Sequence, residues 1–290
     1  MNIGWIGTGV MGLSMAGHLQ DAGHGLFVYN RTQSKAERLI AGGGEWHDSP
    51  AAVAEHAEIV FTMVGFPSDV EEIYFGDDGI LSSSKAPRIV VDMTTSRPSL
   101  AQRIADVAAR SGLSSLDAPV SGGDIGARDA TLAIMAGGER ETFDEVFPLF
   151  ELMGKNISYM GPAGAGQHTK MCNQILVAGT MIGVCESLFY AAKRGLDEQA
   201  IIDVIGKGAA MSWSINNLGP RIARGDYNPG FMVEHFIKDM GIALDEAAAS
   251  GFSLPGLSLV RQLYIALKAQ GHGRSGTQAL ILALKRLNGE

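Results

Sequence analysis

The chain opens MNIGWIGTGVMG. A short apolar run, NIGWI, ends in GTGVMG at residues 7–12, which matches G-x-G-x-x-G. A helical pattern follows, with Met11, Met15, Ala16 and Leu19 on one face. This order of strand, glycines and helix constrains the fold more than any other feature. Gly7 serves the tight turn, Gly9 the close approach of a pyrophosphate, and Gly12 the packing of helix on strand. The new helix then presents N–H groups and a partial positive charge to phosphate. Gly7, Gly9, Val10, Met11 and Gly12 are therefore expected at a dinucleotide.

The rest of the first half repeats the unit. Residues 26–30, 58–64, 88–93, 113–120 and 131–138 read as strands, with helical patterns ending near Gly23 and Ile40 and running from Pro98 to Arg110. Such alternation predicts an α/β Rossmann-type domain with a mostly parallel, doubly wound sheet. The pattern changes after Tyr159. GPAGAG at 161–166 is a glycine-rich break, and no strand is expected beyond it. Residues 165–194 read as one long helix, and further helices are expected near 197–206, 214–223, 232–250, 255–270 and 275–287. The expectation is a cofactor domain over 1–162 and an all-α domain over 163–290, joined by the long helix. That helix is apolar nearly all round, which predicts burial on several sides, a second subunit included.

Composition narrows the classes. At 46% hydrophobic residues the 290-residue chain is too apolar for disorder. A net charge of −8 argues against nonspecific nucleic-acid binding. Cys172 and Cys185 lie thirteen positions apart on one helical pattern, too far for a disulfide, which fits a reducing, cytoplasmic setting. No signal peptide and no membrane span are expected. The seven histidines show no metal-binding spacing, so no metal is expected, and no G-x-S-x-G elbow is present.

The second strand ends at Asn30, where an NAD-binding protein usually carries a carboxylate for the ribose hydroxyls. Asn30-Arg31-Thr32 has none to repel a 2′-phosphate, and Arg31 can form charge-assisted bonds to one. This predicts NADP(H) as the preferred cofactor, with NAD(H) possible. Two further strand ends should meet it. Met63 and Val64 offer apolar contact, and Met93-Thr94-Thr95-Ser96, with Thr95 the residue expected at the cofactor, offers hydroxyls for ribose or nicotinamide. Threonines after a strand also cap helices routinely.

DAPVSGGDIGA, 117–127, follows the fifth strand. Ser121, Gly122 and Gly123 bring a hydroxyl and unobstructed backbone N–H groups, the makings of a carboxylate site. A flexible loop is the competing reading. Lys170 and Asn173 are three apart on one helix face. Lys170 suits proton transfer to an alkoxide, with Asn173 holding the same oxygen. A lysine laying its stem along apolar surface is the other reading. Lys238-Asp239 is a second candidate pair, at a substrate, at a cofactor or on the surface.

Four motifs now stand in order: GWIGTGVMGLSMAGHL, DAPVSGGDIGA, GPAGAGQHTKMCNQ and FIKDMGIAL. Together they resemble the β-hydroxyacid dehydrogenase family, which includes 3-hydroxyisobutyrate dehydrogenases and tartronate semialdehyde reductases. The resemblance spans nearly the whole chain. It implies that Lys170 is the acid/base, that Asn173 assists the reacting oxygen, and that Ser121, Gly122 and Gly123 bind a substrate carboxylate. It implies that Lys238 lines a closed cleft near cofactor and substrate, and that the protein is a homodimer or homotetramer associating through helical domains. The implied reaction moves hydride between a nicotinamide and a small semialdehyde acid. 3-Hydroxyisobutyrate, tartronate semialdehyde and succinic semialdehyde all stay open.

Rivals are a 6-phosphogluconate dehydrogenase, an imine reductase, an S-adenosylmethionine-dependent methyltransferase and a non-catalytic NADPH sensor. The first commonly carries His-Asn where this chain has Asn173-Gln174. Imine reductases usually replace the lysine with another acid. A methyltransferase gives no reason for the lysine–asparagine helix, and a sensor none for the retained catalytic groups.

Overall fold

The computed structural model describes all residues, 1–290, and divides into two compact units, Met1–Lys170 and Met171–Glu290.

The first unit holds one nine-stranded sheet: β1 (Asn2–Ile6), β2 (Gly25–Tyr29), β3 (Glu45–Trp46), β4 (Ile59–Thr62), β5 (Ile89–Asp92), β6 (Ser114–Asp117), β7 (Val120–Ser121), β8 (Leu132–Gly138) and β9 (Gly154–Gly161). Strands β3-β2-β1-β4-β5-β6 lie side by side and all parallel. β8 runs antiparallel to both β6 and β7, and β9 runs parallel to β8. The helices are α1 (Val10–Asp21), α2 (Glu37–Ala41), α3 (Pro50–His56), α4 (Pro67–Phe75), α5 (Pro98–Arg110), α6 (Gly123–Arg128) and α7 (Arg140–Glu151), and α8 (Ala165–Lys193) begins here.

Both faces of the sheet are buried, as parallel strands connected by helices require. Ile3, Trp5, Ile59, Phe61, Ile89 and Val91 point into one core. Ile6, Val60 and Val90, the alternate residues, point into the other. Gly4 is the exception that permits close packing: a Cβ there would lie 2.6 Å from Val53 on α3.

Three features depart from the sequence reading. The strand expected over 113–120 is broken into β6 and β7 around Pro119, which has no N–H to give the ladder. The two-residue β3 and the eight-residue β9 were not expected. β9 shows no clean alternation: Lys155, Asn156 and Met160 are exposed. Its pairing with β8 supplies the order that its own pattern lacks.

The second unit is all helical. α8 runs on into it, followed by α9 (Glu198–Ile205), α10 (Trp213–Asn217), α11 (Gly219–Ala223), α12 (Val233–Ala249), α13 (Pro255–Leu267) and α14 (Leu280–Leu287). Its core gathers Met181, Cys185 and Leu188 of α8 with Phe236, Met240 and Tyr264. The Phe236 and Tyr264 rings meet edge to face at 5.1 Å. Asp197 and Ser212 cap α9 and α10 with their side-chain oxygens. By length and composition alone, α8 contains a stretch apolar enough to cross a membrane. Core helices meet the same test, and Met181, Cys185 and Leu188 are such core residues.

Candidate active site

The register of the sheet sets a row of residues at the carboxyl ends of its strands. Tyr29, Ile6, Thr62, Asp92 and Asp117 are successive partners across β2, β1, β4, β5 and β6. The segments that follow them carry most of the residues expected in the first unit. This is where ligands of open α/β sheets bind.

The glycine turn has the shape its sequence requires. Gly7 has φ +99, and a Cβ on it would sit 2.2 Å from the Met63 carbonyl oxygen. A Cβ on Gly12 would sit 2.0 Å from the Gly7 oxygen. Gly9 is different: a Cβ there would meet nothing within 4 Å. Gly7 and Gly12 are thus small for internal packing, whereas Gly9 borders open space. The first intrahelical bond of α1 runs from the Leu13 N–H to the Gly9 carbonyl, so the N–H groups of Val10, Met11 and Gly12 precede the ladder. Gly9 has no side chain to cap them, and Val10 is exposed. Open space beside a glycine and uncapped helix N–H groups fit a dinucleotide pyrophosphate. The Thr8 hydroxyl oxygen is buried in the same turn without a hydrogen-bond partner.

Asn30 acts on this turn. Its Oδ1 accepts the Thr8 N–H at 3.0 Å, and its Nδ2 donates to the Thr32 carbonyl at 2.8 Å. It ties the glycine loop to the end of β2. Arg31 and Thr32 are exposed, and the Arg31 guanidinium lies 3.6 Å from the Asp69 carboxylate. Met63, Val64 and Thr95 are half-buried. The Val64 N–H donates to the Thr94 hydroxyl at 3.0 Å, so Thr94 links the ends of β4 and β5.

Lys170 is not a surface lysine. It is 6% exposed, and its Nζ donates to the Val120 carbonyl at 2.7 Å. The residue after Val120 is Ser121. Gly122 and Gly123 follow with φ +136 and +64, backbone that L side chains rarely adopt. The lysine therefore reaches the strand that leads into the expected carboxylate loop. The loop is ordered by a turn of α6 rather than being free of structure.

In the second unit, Asn173 donates from Nδ2 to Gln174 Oε1 at 2.8 Å, and Gln174 Nε2 donates to Asp239 Oδ2 at 2.6 Å. The Lys238 ammonium lies 2.8 Å from Asp239 Oδ1. Asp239 is buried and Lys238 nearly so. One carboxylate thus holds Lys238 directly and Asn173 through Gln174.

Several organising residues escaped the sequence reading: Trp5, Asp117, Gln167 and Gln174. Each is buried and acts on backbone or side chains distant in sequence. Asp117 stood inside a quoted motif, but only its fold neighbours reveal its part. No group of three or more His, Cys, Asp or Glu side chains is placed to hold a metal.

The chain resembles known proteins along nearly its whole length. Residues 2–161 match the model of the NAD-binding domain of 6-phosphogluconate dehydrogenase, and residues 164–284 match that of the NAD-binding domain of NADP-dependent 3-hydroxyisobutyrate dehydrogenase. A mitochondrial 3-hydroxyisobutyrate dehydrogenase-like protein of Arabidopsis thaliana is 53% identical over 99% of this chain and 86% of its own. The 2-hydroxy-3-oxopropionate reductase of Escherichia coli is 38% identical over 98% of this chain and 97% of its own. The solved structure of Mycobacterium tuberculosis 3-hydroxyisobutyrate dehydrogenase with L-serine is 32% identical, covers 98% of both chains and superposes with a TM-score of 0.88. With its Rossmann-type domain and its all-helical domain entered by one long helix, the chain belongs to the β-hydroxyacid dehydrogenase family of NAD(P)-dependent oxidoreductases.

Proposed function

We propose that the protein interconverts a small β-hydroxy acid and its semialdehyde, with NADP(H) preferred over NAD(H) and Lys170 as general acid/base. The observation that carries this reading is the burial of the Lys170 ammonium against Val120, next to Ser121-Gly122-Gly123. A bound nicotinamide supplies or accepts the hydride. The chain's own residues do the rest. Ser121 and the N–H groups at Gly122 and Gly123 hold the substrate carboxylate, which fixes the carbon that reacts. In reduction Lys170 delivers a proton from Nζ to the nascent alkoxide, and in oxidation it removes one. Asn173 steadies the same oxygen, and Lys238 contributes positive charge to the bound anions.

The cofactor is oriented by Gly7, Gly9, Val10, Met11 and Gly12, by Met63 and Val64, and by Thr95. Asn30 shapes the turn, Arg31 binds the 2′-phosphate, and Thr32 and Lys238 complete the set. Preference for NADP(H) rests on the absence of a carboxylate at Asn30 and on the exposure of Arg31. The free thiols of Cys172 and Cys185 fit a cytoplasmic setting. Association as a homodimer or homotetramer fits the outward Leu176 and Tyr190 of α8, 69% and 61% exposed.

Two measurements test the reading. The first follows nicotinamide absorbance with 3-hydroxyisobutyrate, tartronate semialdehyde, succinic semialdehyde and L-serine, each with both cofactors. L-serine belongs in the panel because it is itself a β-hydroxy acid and is bound in the mycobacterial structure. The second is Lys170→Ala, which should lower kcat by about a hundredfold or more. Near-normal turnover in that variant removes Lys170 from the chemistry. Inactivity toward the whole panel despite tight NADPH binding favours a sensor.

A further inference from the structure

We propose that Asp117 is a positioning residue for Lys170: its carboxylate, together with the Gln167 side chain, fastens the first turn of α8 to the carboxyl ends of β5 and β6. The proposal rests on the reading of Lys170 as the acid/base.

The first turn of a helix leaves N–H groups without intrahelical partners, and a Ser, Thr, Asp or Asn at the N-cap usually meets them. GPAGAG, which leads into α8, contains no such residue. The acceptor comes from the sheet instead. Asp117 Oδ1 accepts the Gly164 N–H at 2.7 Å and Oδ2 accepts the Gln167 N–H at 2.8 Å. Gln167 makes the second fastening. It is fully buried, its Oε1 accepts the Ser96 N–H at 2.9 Å, and its Nε2 donates to the Thr94 carbonyl at 2.7 Å. Residues 164–167 are thereby held to two strand ends at once.

The surroundings are shaped to this carboxylate. A Cβ on Gly137 would lie 2.7 Å from Asp117 Oδ1 and 2.7 Å from the Gly166 nitrogen. A Cβ on Gly166 would lie 2.5 Å from the Asp117 carbonyl oxygen and 2.9 Å from Oδ2. Two glycines therefore let helix and strand close around Asp117. This arrangement is costly as pure scaffolding. Burial pushes the Asp117 pKa up to about 6, against the pull of the backbone N–H groups, and Asp92 on the neighbouring strand adds to the rise.

Lys170 lies one turn beyond Gln167, and its ammonium bonds to Val120, three residues after Asp117. The same strand segment thus holds both the start of the helix and the tip of the lysine. A slip of α8 by one residue would carry the lysine about 1.5 Å along the axis and turn it through about 100°. Proton transfer does not tolerate such an error.

The test measures kcat, KM and their pH profiles on the fastest substrate of the panel, with melting temperature and NADPH affinity alongside. Asp117→Asn replaces one acceptor oxygen by an NH2 group facing a backbone N–H. Gly137→Ala presses on the same bonds and alters no polar group. Both should lower kcat about tenfold to a hundredfold and displace the limb of the pH profile that Lys170→Ala abolishes, with NADPH affinity unchanged. Wild-type kcat and an unmoved limb in both would overturn the proposal. So would a kcat loss matched by lost NADPH affinity with the limb in place, because that is the mark of a scaffold. If either variant does not fold, Gln167→Glu, which keeps the acceptor for the Ser96 N–H and loses the donor to the Thr94 carbonyl, decides by the same readouts. A fully active Lys170→Ala instead sinks the acid/base reading on which the proposal stands.

Discussion

The indole Nε1 of Trp5 donates to the Gly7 carbonyl at 2.9 Å, entirely within the core. The ring also stacks on Phe61 at 5.6 Å. The carbonyl of the first glycine is thereby pinned, and it is this oxygen that a Cβ on Gly12 would strike. Gly7 and Gly12 belong to the packing of the turn, whereas Gly9 belongs to whatever binds above it.

That division predicts opposite behaviour for two alanine variants. Gly12→Ala should destabilise the protein by about 2 kcal/mol or more, because the obstacle is backbone and cannot move aside. Gly9→Ala should change stability by less than about 0.5 kcal/mol. It should weaken NADPH binding by roughly tenfold, since the new methyl group intrudes where a pyrophosphate approaches. Urea denaturation and fluorescence titration separate the two effects. Undiminished NADPH affinity in Gly9→Ala would refute the cofactor position.

Arg31 is exposed and shares its charge with Asp69. Arg31→Ala should reduce kcat/KM for NADPH by about tenfold, the worth of roughly one charge-assisted hydrogen bond, and leave that for NADH unchanged. Raising the salt concentration should narrow the wild-type preference, because the contact is at the surface. Equal losses with both cofactors would mean that Arg31 does not read the 2′-phosphate.

Asp117 also makes a prediction about stability and pH. Its pKa is about 6 in the folded protein and near 3.8 unfolded. Between those values the folded state binds the proton more readily, so this group's contribution to stability falls as pH rises from about 4 to 6. The fall is worth about 3 kcal/mol. Asp117→Asn lacks it. The variant should therefore gain on the wild type as pH rises from 4 to 7, as measured by urea denaturation at each pH. A variant that loses ground over that range would contradict the burial argument.

Asp239 is buried and holds both the Lys238 ammonium and the Gln174 amide. Asp239→Ala should lower stability by about 3 kcal/mol, because it removes the buried acceptor that Lys238 and Gln174 share. Replacing Lys238 by Met in the same protein should recover part of that loss. A melting temperature unchanged in Asp239→Ala would show that Lys238 is readily hydrated.

Much of the architecture is legible in the chain alone. Period and punctuation disclose the glycine turn, the principal parallel strands and the long helix, because each of these signals is local: a missing Cβ, a run of apolar residues, a face repeating every three or four. The motifs Ser121-Gly122-Gly123 and Lys170 are legible for the same reason. Tertiary structure alone decided that Lys170 is buried rather than laid along the surface, since the Val120 carbonyl that receives it lies fifty residues away. It also decided that Asn30 serves the glycine turn, that Pro119 splits a strand, and that Asp117 caps a helix begun in GPAGAG. In sequence an aspartate before Ala-Pro carries no mark of that task. Hydrogen bonds between distant segments exist only once strand register has brought the carboxyl ends of β4, β5 and β6 into one row, and no local pattern encodes that row.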